Sequence, residues 1–264
     1  MTLVVWPLSE RPEFTIALLQ LAPKVWPYFI LEADASREHY SALFEYFMDY
    51  QFVVCDQQEQ VIAGGGTIPV AWDGTMDGLP EGWDGALIQG VADRRAGHAP
   101  SALSAVSATI HPAYQGLGLG QLIIRTMKAL GLSHGLSHLI CPVRPSQKSR
   151  YPLIPLEQYI RWKQSDGAPF DPWMRTHWRL GAEFLRIEPA SMVVNGTVAE
   201  WEDWTEMRFP ESGTYVVPGA LVPISIDCEQ NLGRYIEPNA WMRYRLSQES
   251  EDAAELLSLL SRRL

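Results

Sequence analysis

One stretch of this chain, ATIHPAYQGLGLGQLIIRTMKAL at residues 108–130, leaves few choices for its fold. A run of small and apolar residues ends at Pro112, and Gln115-Gly116-Leu117-Gly118-Leu119-Gly120 follows. From there Leu119, Leu122, Ile123, Thr126, Met127 and Leu130 fall on one helical stripe, with Gln121, Arg125 and Lys128 outside it. The pattern predicts a strand, a glycine turn and an amphipathic helix that stops at Gly131 or Gly135, and HLICPV supplies the next strand. Pro142 and Pro145 remove backbone donors at the end of that strand, so it and its neighbour are expected to part there.

Three chemistries could use such glycines. A nucleoside-triphosphate loop needs Lys-Ser/Thr after its last glycine, where Gln121-Leu122 stand. A dinucleotide fingerprint needs the GxGxxG spacing and a ribose-binding acid roughly 20 residues on, and no acid occurs before Glu157. What remains is a helix N-terminus whose uncovered amides and dipole hold a pyrophosphate. The charge distribution agrees. The chain carries a formal −10, yet from Arg94 to Leu156 there is no Asp or Glu, while Arg94, Arg95, Arg125, Lys128, Arg144, Lys148 and Arg150 are basic. An acidic protein with one basic segment suits a small polyanion and argues against nucleic-acid binding.

Composition, 47% hydrophobic and 20% charged, is that of a globular chain, with no apolar run of about 18 residues to span a bilayer and no leader pattern at its start. Membrane insertion and export are not expected. Cys55, Cys141 and Cys228 are odd in number and far apart, so neither a disulfide framework nor a CxxC site is expected, and a reducing cytoplasm is the natural setting. No group of His, Cys, Asp and Glu has metal-ligand spacing, so no metal is expected.

Elsewhere, QFVVCD, a polar turn and VIAGGGTIPVAW predict a hairpin. SREHYSALFEYFMDY predicts one helix of about three turns, capped by Ser36, with Tyr40, Leu43, Phe44 and Phe47 inward. WDGTMDGLPEGWDGAL reads as a loop, and SALSAVSATIHP as a strand that something can approach closely. A helix ending near Asp166-Gly167, another over residues 173–180, a hairpin from ALVPISID and YIEPNAWMRYRL, and a short last helix complete the expectation. The organisation reads as a single domain over residues 1–264, with an N-terminal appendage at 1–35 and an insertion at 144–176 that forms a substrate wall.

The order strand, Gln-x-x-Gly-x-Gly, amphipathic helix, strand, with Gln115, Gly118 and Gly120 at the motif positions, resembles the acyl-CoA-binding core of the GCN5-related N-acetyltransferases (GNAT). The resemblance covers roughly residues 37–186 plus the terminal hairpin. It implies an α/β (α+β) fold: a central mixed, mostly antiparallel sheet with a splayed strand pair, flanked by helices. It implies acetyl-CoA or another short acyl-CoA as cofactor. Gln115, Gly116, Leu117, Gly118, Leu119, Gly120 and Gln121 would lie at the pyrophosphate, and the backbone of Val106, Ala108 and Ile110 at the pantetheine. The implied activity is direct transfer of acetyl to an amine.

Many such enzymes protonate the departing thiolate from a Tyr in Tyr-x-x-x-Gly-Phe, and here His177-Trp178-Arg179-Leu180-Gly181 places a His at the Tyr position. A His titrating near neutrality can donate or accept a proton, which makes His177 the first catalytic candidate. Thr109 could orient a carbonyl or a water, Ser146 lies just past the splay, and His111 is a second base candidate. Arg144 is placed to bind a carboxylate, and Trp162 and Trp173 to line a pocket for a cationic amine, although the aromatics of the insertion also read as a second core. The His also admits an alternative enzyme, a GNAT-like malonyl-CoA decarboxylase and S-acetyltransferase. In it His177 would work with Thr109 or Ser146, Arg144 would hold the malonyl carboxylate, and a carrier-protein thiol would receive the acetyl group. A CoA-binding module without turnover is the remaining alternative. The acceptor is thus a small-molecule amine or a carrier protein.

Overall fold

The computed structural model describes residues 3–250 and 252–260. Its β-branched and alternating runs assemble into one nine-stranded sheet. The strands are β1 (Val4–Pro7), β2 (Gln51–Cys55), β3 (Val61–Val70), β4 (Ala102–Ile110), β5 (His138–Val143), β6 (Glu183–Gly196), β7 (Gly213–Tyr215), β8 (Ile224–Asp227) and β9 (Leu232–Arg245). They run in the order β1-β2-β3-β4-β5-β9-β8-β7, with β6 along the other edge of β9. Every pairing is antiparallel except β4 with β5. This is the mixed, mostly antiparallel α/β sheet expected.

The one parallel pairing is short. Ala102, Leu103 and Ser104 align with His138, Leu139 and Ile140, and there it ends. Two residues past Ile140 stands Pro142, which has no N–H to give, and β4 beyond Ser104 keeps β3 on one side and loses its neighbour on the other. β5 continues against β9 to Val143. On the same edge of β9, β8 takes Leu232 to Arg234, so residues 235–239 face neither strand. The splay and this gap are continuous.

The helices are α1 (Thr15–Leu21), α2 (Tyr28–Leu31), α3 (Asp34–His39), α4 (Ala42–Glu45), α5 (Gly82–Ala96), α6 (Leu119–Ser133), α7 (Leu156–Tyr159), α8 (Pro172–Arg179), α9 (Val198–Thr205) and α10 (Ala253–Ser258). Ile123, Met127 and Met174 of α6 and α8 pack with Leu139, Cys141, Met242 and Tyr244 on one face of the sheet, and Leu256 of α10 joins them. Leu87 and Val91 of α5 cover Ile68, Ile140 and Trp241 on the opposite face. Phe29, Trp201, Ile226 and Tyr235 form a third core under β6, β8 and β9. No helix of the described residues is long and apolar enough to cross a membrane.

Three sequence expectations fail here. The single helix over residues 36–50 is two short ones, α3 and α4, broken around Tyr40 and Ser41, although Leu43 and Phe47 are buried as the spacing predicted. The candidate ending near Asp166 shrinks to α7. The loop read from WDGTMDGLPEGWDGAL ends in α5, which buries Ala86, Leu87, Gly90 and Val91. A Cβ on Gly90 would lie 2.5 Å from the Ile68 side chain, so a residue that weakens a helix by propensity is what lets this one lie close on the sheet. The stretch at 1–35 supplies the edge strand β1 and helix α1, and its Trp26 and Asp34 bond to β4 and β6.

Candidate active site

The glycine turn divides its labour. Gly116 and Gly118 have φ of 80° and 84°, Gly118 being the residue that opens α6, and a Cβ built on either meets nothing within 4 Å. Their need for glycine is conformational, and the space in front of them is free. Residues 115–118 are exposed, and among the described residues no backbone carbonyl accepts from the amides of Gly116 to Gly120. No acid occupies the first turn of α6. Open amides, an uncovered approach and a positive helix end fit a pyrophosphate. Gly120 has another reason: its Cβ would come within 2.8 Å of the Trp173 ring, so it is the seat of α8 on α6. Gln115 reaches back to the Ile110 carbonyl through Nε2 at 3.2 Å.

The basic segment does not form a collar around this turn. Arg125 and Lys128 pair with Glu255 and Asp252 of the C-terminal stretch, Arg144 pairs with Glu237, and Arg94 lies over Tyr46 and Phe47. Lys148 is buried on the carbonyls of Tyr151 and Leu221, at 2.9 and 2.6 Å, and burial lowers its ammonium to about 8. Acids from elsewhere in the chain pair with Arg125, Lys128 and Arg144, and the open amides of the turn are what fits an anion there.

On β4 the freed edge is partly engaged. Val106 O accepts from Trp83 Nε1 at 2.7 Å, and Thr109 Oγ1 from Trp26 Nε1 at 3.1 Å. Beside Trp83, Asp84 Oδ2 takes the Val193 amide at 2.7 Å, while its buried Oδ1 has no hydrogen-bond partner among the described residues. Burial first, with Asp34 and Glu237 adding to it, pushes the Asp84 carboxyl up to about 7.

Asp171 organises the far side of the splay. As N-cap of α8 it accepts from the amides of Trp173 and Met174, and it also accepts from Ser146 N and Oγ, Gln147 N and Tyr159 Oη. The turn after β5, the insertion and α8 are thereby fixed to one buried carboxylate. Asp171 is a structural hub, and Asp-Pro at the head of a helix is the local signal for it.

His177 is buried, one turn along α8 from Trp173, whose ring meets the imidazole edge-on at 4.7 Å. Its Nδ1 lies 2.9 Å from Tyr244 Oη, and burial lowers its pKa to about 3. The expectation of a His titrating near neutrality is therefore corrected: this imidazole is neutral at ordinary pH. Arg144 gives Nε to both oxygens of the fully buried Glu237, at 3.0 and 2.8 Å, and another nitrogen to Gly219 O at 2.6 Å. Tyr235 Oη and Asn239 Nδ2 also donate to Glu237. Trp162 sits in an aromatic cluster with Tyr151, Tyr159 and Phe170. His111 accepts from the Ala113 amide and lines a cleft of about 180 Å³ with Gln20, Lys24 and Gln60.

The structure thus brings Gly120, Trp173 and His177 together, and Ser146 to Asp171. No hydrogen bond joins Thr109 to His177 or to Ser146 among the described residues. Tyr244, Trp26, Trp83, Asp84 and Glu237 carried no sequence signal, because their partners are distant in the chain.

A sheet opened beside a glycine-capped helix, with a free backbone edge in the opening, defines an acyl-CoA-binding transferase core. No protein-family model matches the chain. It is 33% identical over 246 residues to an arginine N-acetyltransferase, avaD, of Aspergillus versicolor, the match covering 83% of this chain and 84% of that protein. The loading GNATL domain of CurA from Lyngbya majuscula superposes with a TM-score of 0.55 at 16% identity, over 88% of this chain and 93% of the domain. The GphF GNAT-like decarboxylase in complex with isobutyryl-CoA gives 0.52 at 16%, over 90% and 97%. The chain belongs to the GCN5-related N-acetyltransferase superfamily. It is an acyl-CoA-dependent acyltransferase of the N-acetyltransferase kind.

Proposed function

We propose that the acceptor is a small molecule carrying a cationic amine or guanidine, arginine-like in chemistry, and that a short acyl group, acetyl first, passes directly to its nitrogen. The observation that carries this reading is the unpartnered Asp84 Oδ1 beside Trp83, whose indole is bonded to the freed part of β4. A carboxylate oxygen buried without a donor is costly, and a cationic group would relieve it. Asp34 and Glu237 raise the local negative potential, and the similar protein from Aspergillus versicolor is named for arginine.

Acetyl-CoA supplies the activated acyl carbon. The amides of Gly116 to Gly120 hold its pyrophosphate, and the freed edge of β4 at residues 105–110 offers backbone groups to the pantetheine. Asp84 orients the cationic end of the acceptor. His177, neutral, donates a hydrogen bond toward charge developing as the carbon–sulfur bond breaks; the acceptor nitrogen attacks in its neutral form and loses one further proton to water as its bond to the acyl carbon forms, while CoA leaves as the thiolate. Arg144, engaged by Glu237 and Gly219, is poorly placed to hold a malonyl carboxylate, which weighs against the decarboxylase reading. Free Cys228 at the surface accords with a reducing cytoplasm.

Asp84→Asn tests the acceptor site. The amide oxygen can still accept from Val193, so the variant is expected to fold, with an arginine KM raised at least tenfold, about 1.4 kcal/mol, and acetyl-CoA affinity kept. In the wild type that KM falls as pH rises through about 7, because ionised Asp84 is the binding form, and the variant loses this dependence. An unchanged KM in Asp84→Asn contradicts the assignment.

A further inference from the structure

We infer that Tyr244 is a positioning residue that fixes the tautomer of His177, holding the ring hydrogen on Nε2 so that the imidazole faces its site as a donor and never as a base. The inference rests on the part given to His177 under the proposed function.

Tyr244 lies on β9, opposite Leu139 of β5, and both its ring and that of His177 are buried. Its hydroxyl has two acceptors within reach: His177 Nδ1 at 2.9 Å and the His177 carbonyl oxygen at 3.3 Å. The carbonyl is already served. As α8 ends, the Ala182 amide donates to it at 3.0 Å, and the Leu180 amide shares its hydrogen between it and Thr176 O, each at 3.2 Å. The shorter and better-supplied bond for the single hydroxyl hydrogen is therefore to Nδ1. A neutral imidazole that accepts at Nδ1 must carry its hydrogen at Nε2.

Packing keeps the ring this way round. Trp173 stands edge-on to the imidazole at 4.7 Å, and the Tyr244 ring lies 5.9 Å from it at 33°. Exchange of the two nitrogens by a ring flip would have to pass both. Nε2 makes no hydrogen bond among the described residues, so the one polar group the imidazole has left to offer is an N–H. The consequence is chemical. A ring that donates at Nε2 stabilises negative charge on a departing sulfur or a carbonyl oxygen, and it cannot take the proton from the acceptor nitrogen. That proton leaves to solvent water.

The test is nitrogen-15 NMR of histidine-labelled protein, with His177 assigned by the loss of its signals in His177→Asn. The wild type is expected to show an unprotonated Nδ1 and a protonated Nε2. In Tyr244→Phe, which keeps the ring and its packing, the two nitrogens are expected to move toward a tautomer mixture. Turnover should fall at least fivefold while the KM for acetyl-CoA is kept. A protonated Nδ1 in the wild type, or the same pair of shifts in Tyr244→Phe, overturns the inference. Tautomers that mix in Tyr244→Phe with turnover unchanged would uphold the hold of Tyr244 on the ring and overturn the chemical part given to His177.

Discussion

Gly118 and Gly120 stand two residues apart in one motif and are glycines for unrelated reasons. Gly118 has a left-handed backbone and open space before it. An L-residue there carries about 1 kcal/mol of strain, and Gly118→Asp also sets a negative charge against the pyrophosphate. Calorimetry should find CoA affinity reduced at least tenfold in that variant, while Gly120→Ala acts by displacing Trp173 and so lowers turnover more than affinity. His177 gives a second prediction. Burial holds its pKa near 3, whereas the unfolded chain titrates it near about 6.5. Between these values the unfolded state binds a proton that the folded state does not, so stability is lost as pH falls. The slope attributable to the ring is at most about 1.4 kcal/mol per pH unit. Urea unfolding at several pH values should show a steeper acid loss in the wild type than in His177→Asn.

At the scale of elements, α8 depends on Asp171 more than on its own short length. Eight residues make a marginal helix, and here an Asp N-cap also ties in Ser146, Gln147 and Tyr159. Asp171→Asn must place a donor amide among donors, and a loss of about 3 kcal/mol in unfolding free energy is expected. The contrast is α10, where the pairs Arg125–Glu255 and Lys128–Asp252 have exposed acids and contribute about 1 kcal/mol or less each, while Leu256→Ala should cost about 2 to 4 kcal/mol. Legibility follows the same division. β4, the glycine turn, α6 and β5 could be read because a helical stripe, a positive-φ glycine and a strand-ending proline are local signals. α5 could not, since Gly82, Gly85 and Gly90 spell a loop until Ile68 is seen to need the space. β6 was missed because Pro189 and its charges break the alternation, and it is β9, distant in the chain, that makes it a strand. The glycine turn was therefore visible, while the proposed acceptor side, with Trp26, Trp83 and Asp84, was not.

Across the whole molecule, the opening of the sheet is braced on both sides by polar contacts between distant segments. From the Trp83 amide a chain of hydrogen bonds runs through Ser191, Asn239 and Glu237 to Arg144 and the Gly219 carbonyl. It crosses the gap that β9 leaves between β5 and β8. Trp26 closes the other end at Thr109. These contacts tie the N-terminal stretch, α5 and the segment before β8 to the opened part of the sheet, where the proposed acceptor site lies. The most direct test of acyl transfer to a cationic nitrogen is to incubate the protein with acetyl-CoA and arginine, and separately with malonyl-CoA alone, and to follow all species by mass spectrometry. Acetylated arginine formed in step with free CoA, with malonyl-CoA left intact, is the expected result. Conversion of malonyl-CoA to acetyl-CoA and carbon dioxide, with arginine and other cationic amines unmodified, would contradict it.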